Sequence, residues 1–303
     1  MNTTVLPTRA AARHALAGAA FCLSAGAALA AGEWNTTLGG QAAYGAYSGA
    51  DQRDAWASAG VVLSADYLEK GGYTLGVSGT NIKGRAGAAD LDQSALFASG
   101  RLNFTPDKLP GRLTARLDLH AIGNDDASGD TDGVRVVAPQ LSYLSFDKRS
   151  YVDLGYARST YRNDLSVNQW TPTVGVGFNQ GADWLQFRGW FIDPSNAARA
   201  QGKDSTTALE TKWTHWLAPN MLGIDNLKAS LLLGERIYAV DGDAGSVANL
   251  ADIQRGGASL GAEWKIGSAG KLLAQFGQDR YRNATLADDY KSNYGYLWLS
   301  TQW

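Results

Sequence analysis

Cysteine is nearly absent. The one copy, Cys22, lies in an N-terminal stretch that reads as removable, so the mature chain is expected to have no disulfide, no thiol nucleophile and no Cys-ligated metal. Histidine is almost as scarce, with 3 copies, of which His120 and His215 lie beyond that stretch. Basic excess is lacking too. Without Arg9 and Arg13, 25 Lys+Arg face 29 Asp+Glu, a balance of −4 that argues against a nucleic-acid partner. Past Ala30 there is no long apolar run, which excludes a helical membrane protein. Proline and methionine are few, 7 and 2, whereas glycine (36), tyrosine (13) and tryptophan (10) are abundant.

Residues Met1 to Ala30 read as a secretory signal. Arg9 and Arg13 form its positive region, Ala15 to Ala25 its apolar stretch, and Ala28-Leu29-Ala30 an A-x-A cleavage site, leaving 31–303 as one domain. The apolar part is shorter than the roughly 20 residues a membrane-spanning helix requires. Phe21 stands where a lipidated Cys22 would need a small residue.

The rest of the chain alternates apolar and polar residues in segments of about ten, separated by turn chemistry. Fourteen are counted: Trp34 to Tyr47, Ala55 to Glu69, Tyr73 to Lys83, Gln93 to Phe104, Arg112 to Ile122, Val134 to Phe146, Tyr151 to Tyr161, Val167 to Phe178, Trp184 to Ile192, Thr206 to Leu217, Leu227 to Tyr238, Arg255 to Lys265, Lys271 to Tyr281 and Tyr290 to Trp303. Their connections fall into two alternating sets. Lys70-Gly-Gly, Asp147 to Ser150 and Ile266 to Gly270 are short, with Ala218 to Asn226 the long exception; Gly123 to Gly133, Asp193 to Ser205 and Asp241 to Gln254 are longer and rich in Asp, Gly, Ser and Asn. Short periplasmic turns, long external loops and an even strand number define an outer-membrane barrel. The expected fold class is therefore an all-β transmembrane antiparallel up-and-down barrel of 14 strands. Twelve or sixteen stay open because Tyr151 to Tyr161 alternates weakly and Pro172 should bulge or end its strand. A soluble β-sandwich also uses short alternating strands, but it requires neither two regular sets of turns nor a closing tryptophan.

That closing tryptophan is Trp303. The run Tyr294-Gly-Tyr-Leu-Trp-Leu-Ser-Thr-Gln-Trp303 places Leu297, Leu299 and Trp303 on one face, and resembles the C-terminal strand by which bacterial outer-membrane barrels are recognised for assembly. The resemblance implies the bacterial outer membrane as location, reached by signal-dependent export, with outer-membrane lipid, lipopolysaccharide and the barrel assembly machinery as partners. More finely, Leu154-Gly-Tyr-Ala-Arg-Ser-Thr-Tyr-Arg-Asn-Asp-Leu-Ser-Val-Asn-Gln-Trp170, the hairpin following through Ile192, and Asp288-Asp289-Tyr290 are similar in rhythm to YaiO-type barrels. That family offers no established catalytic or binding residue to carry over.

Alternation splits each strand into an outer and an inner row. The inner row is expected to carry Asp66, Arg101, Arg116, Asp118, His120, Asp153, Arg188, Glu210, Lys212, Lys228, Arg236, Glu263 and Asp279, a lumen of six basic and six acidic residues plus one histidine. Balanced charges pair across a lumen rather than select ions of one sign. Trp190, Trp216, Tyr294, Tyr296 and Trp298 also fall inward, and Leu231, Leu233 and Ile237 outward. His215 falls on the lipid-facing row without a nearby serine, and His120 shares a face with Arg116 and Asp118, so no catalytic residue, cofactor or metal ligand is expected. The acids Asp125, Asp126, Asp130 and Asp132 lack the spacing of a calcium loop and read as a solvated external loop.

Two functions remain. The first is an outer-membrane channel for passive passage of small hydrophilic solutes. The alternative is a closed structural, adhesive or envelope-assembly barrel, associated with polysaccharide export, whose lumen is blocked by salt bridges such as those of Arg116. Either way Trp303 serves assembly alone. Trp303→Ala is expected to reduce insertion and leave the conductance of the folded fraction unchanged; altered conductance with normal insertion would contradict that assignment.

Overall fold

The structure, a computed structural model, describes residues 33–218 and 223–303. The signal read over 1–30 lies outside them, as do residues 219–222 of the long turn read at Ala218 to Asn226. Fourteen strands close into one antiparallel barrel. They are β1 (Trp34–Ser48), β2 (Arg53–Tyr67), β3 (Gly71–Gly84), β4 (Leu91–Phe104), β5 (Gly111–Asn124), β6 (Val134–Ser145), β7 (Ser150–Thr160), β8 (Ser166–Phe178), β9 (Asp183–Pro194), β10 (Thr206–Trp216) and β11 (Ile224–Arg236). After a small hairpin of β12 (Val240–Asp241) and β13 (Ser246–Val247) follow β14 (Ile253–Ile266), β15 (Gly270–Asn283) and β16 (Asp288–Gln302). Each expected segment corresponds to one barrel strand.

Closure joins the chain's two ends. β1 pairs with β16 from Thr37 opposite Gln302 to Ser48 opposite Lys291. Beyond that ladder Trp303 and Thr36 exchange backbone hydrogen bonds, each 2.9 Å, so the last residue is hydrogen-bonded into the seam. No strand edge is left to meet lipid, where an unpaired N–H or C=O costs several kcal/mol.

The outer face is apolar. Leu96, Leu102, Leu117, Leu141, Leu260 and Phe276 stand exposed on it, and a soluble barrel would not tolerate such a band. Aromatic rings collect at the end carrying the termini: Trp34 lies 5.2 Å from Tyr67 and 6.0 Å from Tyr73, and Phe104, Phe146, Phe178 and Trp303 are exposed around the same rim. Such a girdle sits at the headgroup level.

Two expectations need correction. Pro172 makes no bulge: its ladder with β7 runs unbroken through Leu154, and on the β9 side pairs are missing only between Trp170↔Phe191 and Thr173↔Arg188, which share one register. A proline that faces lipid loses one ladder donor without shifting the strand. Bulges occur instead at Arg53/Ala55, Leu233/Arg236 and Gln254/Gly256, toward the external ends of their strands, with a further shift at Ile224/Asn226. Secondly, Ile237 does not face lipid. β11 ends at Arg236, and Ile237 turns inward to 1% exposure.

Several inward rings lie flat on glycines of a neighbouring strand. A Cβ at Gly39 would fall 2.1 Å from the Trp298 ring, and one at Gly45 2.2 Å from Trp56, whereas outward-facing Gly40 meets nothing within 4 Å. Gly39→Ala should therefore force Trp298 off the wall and destabilise the barrel by about 1–3 kcal/mol, with Gly40→Ala close to neutral. Urea unfolding in detergent checks the contrast, and equal effects would refute the packing argument.

Candidate functional site: a loop across the lumen

The segment 237–252 between β11 and β14 turns into the barrel instead of standing above it. Its apolar start, Ile237-Tyr-Ala-Val240, is buried against Trp190, Ile192, Val167 and Val136 from the wall. Burying each large side chain there contributes about 1.5–3 kcal/mol, enough to hold a loop that would otherwise stay in water. Gln169 on β8 fixes the loop's height: its side-chain nitrogen donates to the Val240 carbonyl at 2.8 Å, and its oxygen accepts from the Val240 N–H at 2.9 Å.

Beyond Val240 the loop carries acids to the basic residues of the inner row. Arg188 on β9 lies 3.5 Å from Asp241 and 2.6 Å from Asp243, and Arg116 on β5 lies 3.7 Å from Asp243 and 2.5 Å from Asp118. Gly242 sits so close that a Cβ there would come within 2.5 Å of the Arg116 guanidinium. The tip reaches Phe97 on β4, 3.3 Å from where a Cβ of Gly245 would stand. β4 and β11 are seven strands apart in either direction round the ring, so the loop crosses the whole diameter. Its return limb is tied by Asn249 to the Thr131 carbonyl at 3.1 Å and by Asp252 to Arg53 at 2.5 Å.

The loop divides the lumen unequally. On the β5–β11 side the external half is filled by an apolar cluster that includes Ile122, Val134, Tyr161, Leu165 and Leu232. From β14 round through β1 to β4 the inner row keeps polar residues that are only half-buried, among them Gln41, Ser58, Ser78, Thr80 and Gln275. At the end carrying the termini a cavity of about 620 Å³ opens between Trp34, Asp66, Arg101, Gln140 and Tyr151 and reaches Arg116.

The charged residues read from the sequence as lumen-lining are distributed as follows. Arg101 bridges Asp66 across β3, Lys212 lies 3.4 Å from Glu210, and Lys228 lies 3.0 Å from Glu263. Asp153, Thr173, Arg188 and Glu210 form one rung across four strands. Arg236 covers the Trp190 ring at 4.6 Å and donates to Gln254 at 2.6 Å. Asp279 accepts a long hydrogen bond, 3.4 Å, from the Tyr281 hydroxyl. His120 is buried with its ring 4.9 Å from Phe97. Of the inward aromatics, Trp190 is fully buried in the cluster, Trp216 is exposed at the rim, and Tyr294, Tyr296 and Trp298 line the polar side.

Sequence reasoning missed Gln169, Asp241 and Asp243, because the long loop was assigned to the exterior. Four consecutive apolar residues running on past the end of β11 were the available signal. It also missed Asp183, which on the outer face accepts from Trp213 Nε1 at 2.9 Å and lies 2.8 Å from His215 Nδ1. Neither histidine is assembled with a hydroxyl nucleophile among the described residues. The acidic external loop is held by protein groups: Asp132 by Arg162 at 2.6 Å, Asp130 by Asn163 at 2.7 Å. Partial burial pushes the Asp126 carboxyl up, but hydrogen bonds from Ser128 and Thr131 outweigh it and hold the group below the ordinary range.

No family model matches the chain, and no curated protein matches it. Solved structures do. The outer membrane protein Omp33 of Acinetobacter baumannii is 11% identical, with 89% of this chain and 99% of that one covered and a TM-score of 0.48. A FadL homologue of Pseudomonas aeruginosa is 9% identical over 89% and 90%, TM-score 0.49, and OprD of the same organism 11% identical over 89% and 95%, TM-score 0.44. The chain is a β-barrel of the outer-membrane kind. Its closed seam, apolar band and aromatic girdle establish this without appeal to those likenesses.

Burial pushes the Asp241 carboxyl up, but Lys212, Arg188 and Arg236 draw it well below the usual range. A depressed carboxyl stabilises docking above its ordinary pKa of about 4, and that stabilisation is lost as pH falls below it. Arg188→Gln removes the ion-pair partner of Asp241 and Asp243, leaving Asp241 to Lys212 and Arg236, and should weaken docking by about 1.5–3 kcal/mol. Hydrogen-exchange protection of 239–249 is thus expected to hold from about pH 5 to 8 in the native protein and to fall in the variant; unchanged protection would show that apolar packing alone holds the loop.

Proposed function

We propose that the protein is a narrow outer-membrane channel through which small hydrophilic solutes pass passively, with the 237–252 loop as its constriction. The observation carrying this reading is the division of the lumen. The loop packs against one side of the wall, while the β14–β4 side keeps polar inner-row residues, of which Gln41, Ser58, Ser78, Thr80 and Gln275 are half-buried and Ser99, Ser259 and Ser292 are buried. A fourteen-strand barrel is wider than the eight-strand kind that side chains fill and narrower than the sixteen-strand porins, so one inward loop is enough to set its bore. Charges paired within the wall, such as Arg101 with Asp66 and Lys228 with Glu263, favour weak ion selectivity. The solute is accordingly set by size and polarity rather than by sign.

A second reading, a closed structural or envelope-assembly barrel, is favoured by the Arg116–Asp243–Arg188 bridge, which joins the loop to the wall at two places. Planar-bilayer recording separates the two. A channel gives small stepwise conductance, and replacing 239–249 by a short Gly-Ser linker raises the step severalfold. Silence from folded native protein together with large steps from the loop-less variant identifies a closed barrel, and silence from both removes the channel reading.

A further inference from the structure

We propose that the outer wall at the external end of β14–β16 binds the phosphorylated headgroup of an outer-leaflet lipid. Arg280 on β15 stands directly opposite Lys291 on β16. Their strand neighbours Asp279 and Ser292 belong to the inner row, so alternation sends both cations outward, where both are exposed. Arg282, one step further along the same face, and Arg255 on β14 are exposed beside them.

Like charges directly opposite in an antiparallel ladder destabilise it, and protein groups do not relieve this pair. Among the described residues Arg280, Arg282 and Lys291 form no ion pair. The acids of the patch are taken up by its other cations: Glu235 by Lys203 at 2.6 Å, and both Glu235 and Asp289, which stands opposite Arg282 in the ladder, by Arg255 at 3.5 Å. Five cationic groups, Lys203, Arg255, Arg280, Arg282 and Lys291, thus share two carboxylates.

The depth of the patch identifies its occupant. Immediately toward the membrane lie Gln278 and Asn293, hydrogen-bonded at 2.6 Å, and one step below them the lipid-facing Phe276, 70% exposed. An apolar ring, then an amide pair, then unpaired cations follow the order of acyl chain, glycosidic or glycerol region, and phosphate in a lipid standing beside the wall. Arginine forks and a lysine are suited to phosphate oxygens.

The test uses the folded barrel in detergent, with bisphosphorylated lipid A, the same lipid dephosphorylated, and inorganic phosphate as probes. Native mass spectrometry should show the native protein holding bisphosphorylated lipid A about tenfold or more tighter than Arg280→Gln/Lys291→Gln, with Lys265→Gln at the opposite rim behaving as native. The difference should vanish with the dephosphorylated lipid, and inorganic phosphate should fail to displace the lipid. In lipid-free detergent the double variant should melt no lower than the native barrel, because a repulsion has been removed. Equal lipid A affinity of native and double variant, equal affinity for the dephosphorylated lipid, full displacement by free phosphate, or a lower Tm of the lipid-free double variant would each overturn the proposal.

Discussion

A β-sheet surrounded by hydrocarbon has nowhere to end. Every backbone donor and acceptor on its edges must find a partner, and the pairing of β1 with β16, prolonged by the exchange between Thr36 and Trp303, supplies those partners for the last open edges. The remaining architecture depends on that seam. It fixes the strand number, the strand number fixes the width, and the width exceeds what inner-row side chains fill by themselves. An open lumen of this size is then available to be filled by chain, and segment 237–252 fills part of it.

The loop is held by three kinds of interaction that act at different depths. Its apolar start joins the cluster around Trp190, the Gln169 amide fixes Val240, and the carboxylates of Asp241 and Asp243 meet Arg188 and Arg116. Burial alone would tolerate sliding along the wall. The directed bonds of Gln169 and the short Arg188–Asp243 contact give the loop one position. Since Gly245 abuts Phe97 on the far wall, the division of the lumen into a packed and a polar side is a property of the fold rather than of side-chain choice along one strand.

The fold was largely legible in the sequence because period-two alternation is set by the membrane itself: outward residues must be apolar, so Leu117 and Leu119 or Leu231 and Leu233 announce their strands. The same rule places Arg116, Asp118 and Lys228 on the inner row. Legibility stops where the chain leaves the membrane's control. Ile237 continues the alternation of β11 by chance of packing, and only the inward turn after Arg236 shows that it serves the lumen. Gln169 looks like any inner-row amide until Val240 arrives opposite it from 71 residues away. Pro172 misled for the converse reason, since a lipid-facing donor can be lost without altering register.

The crossing of the lumen by the loop to the opposite wall is directly measurable, because 31–303 lacks cysteine. In Phe97→Cys/Gly245→Cys the two introduced thiols would be the only ones beyond the signal stretch, and a Cβ at Gly245 stands 3.5 Å from Phe97 Cγ, within disulfide reach once the left-handed backbone of Gly245 (φ 59°) accepts a side chain at a cost of about 1–2 kcal/mol. Oxidation of the folded, membrane-inserted protein should join them rapidly and nearly completely, whereas Leu96→Cys/Gly245→Cys, with the wall thiol on the lipid face, should stay reduced. A folded barrel in which both pairs remain reduced would contradict the account, because the loop would then not reach the wall on which the constriction depends.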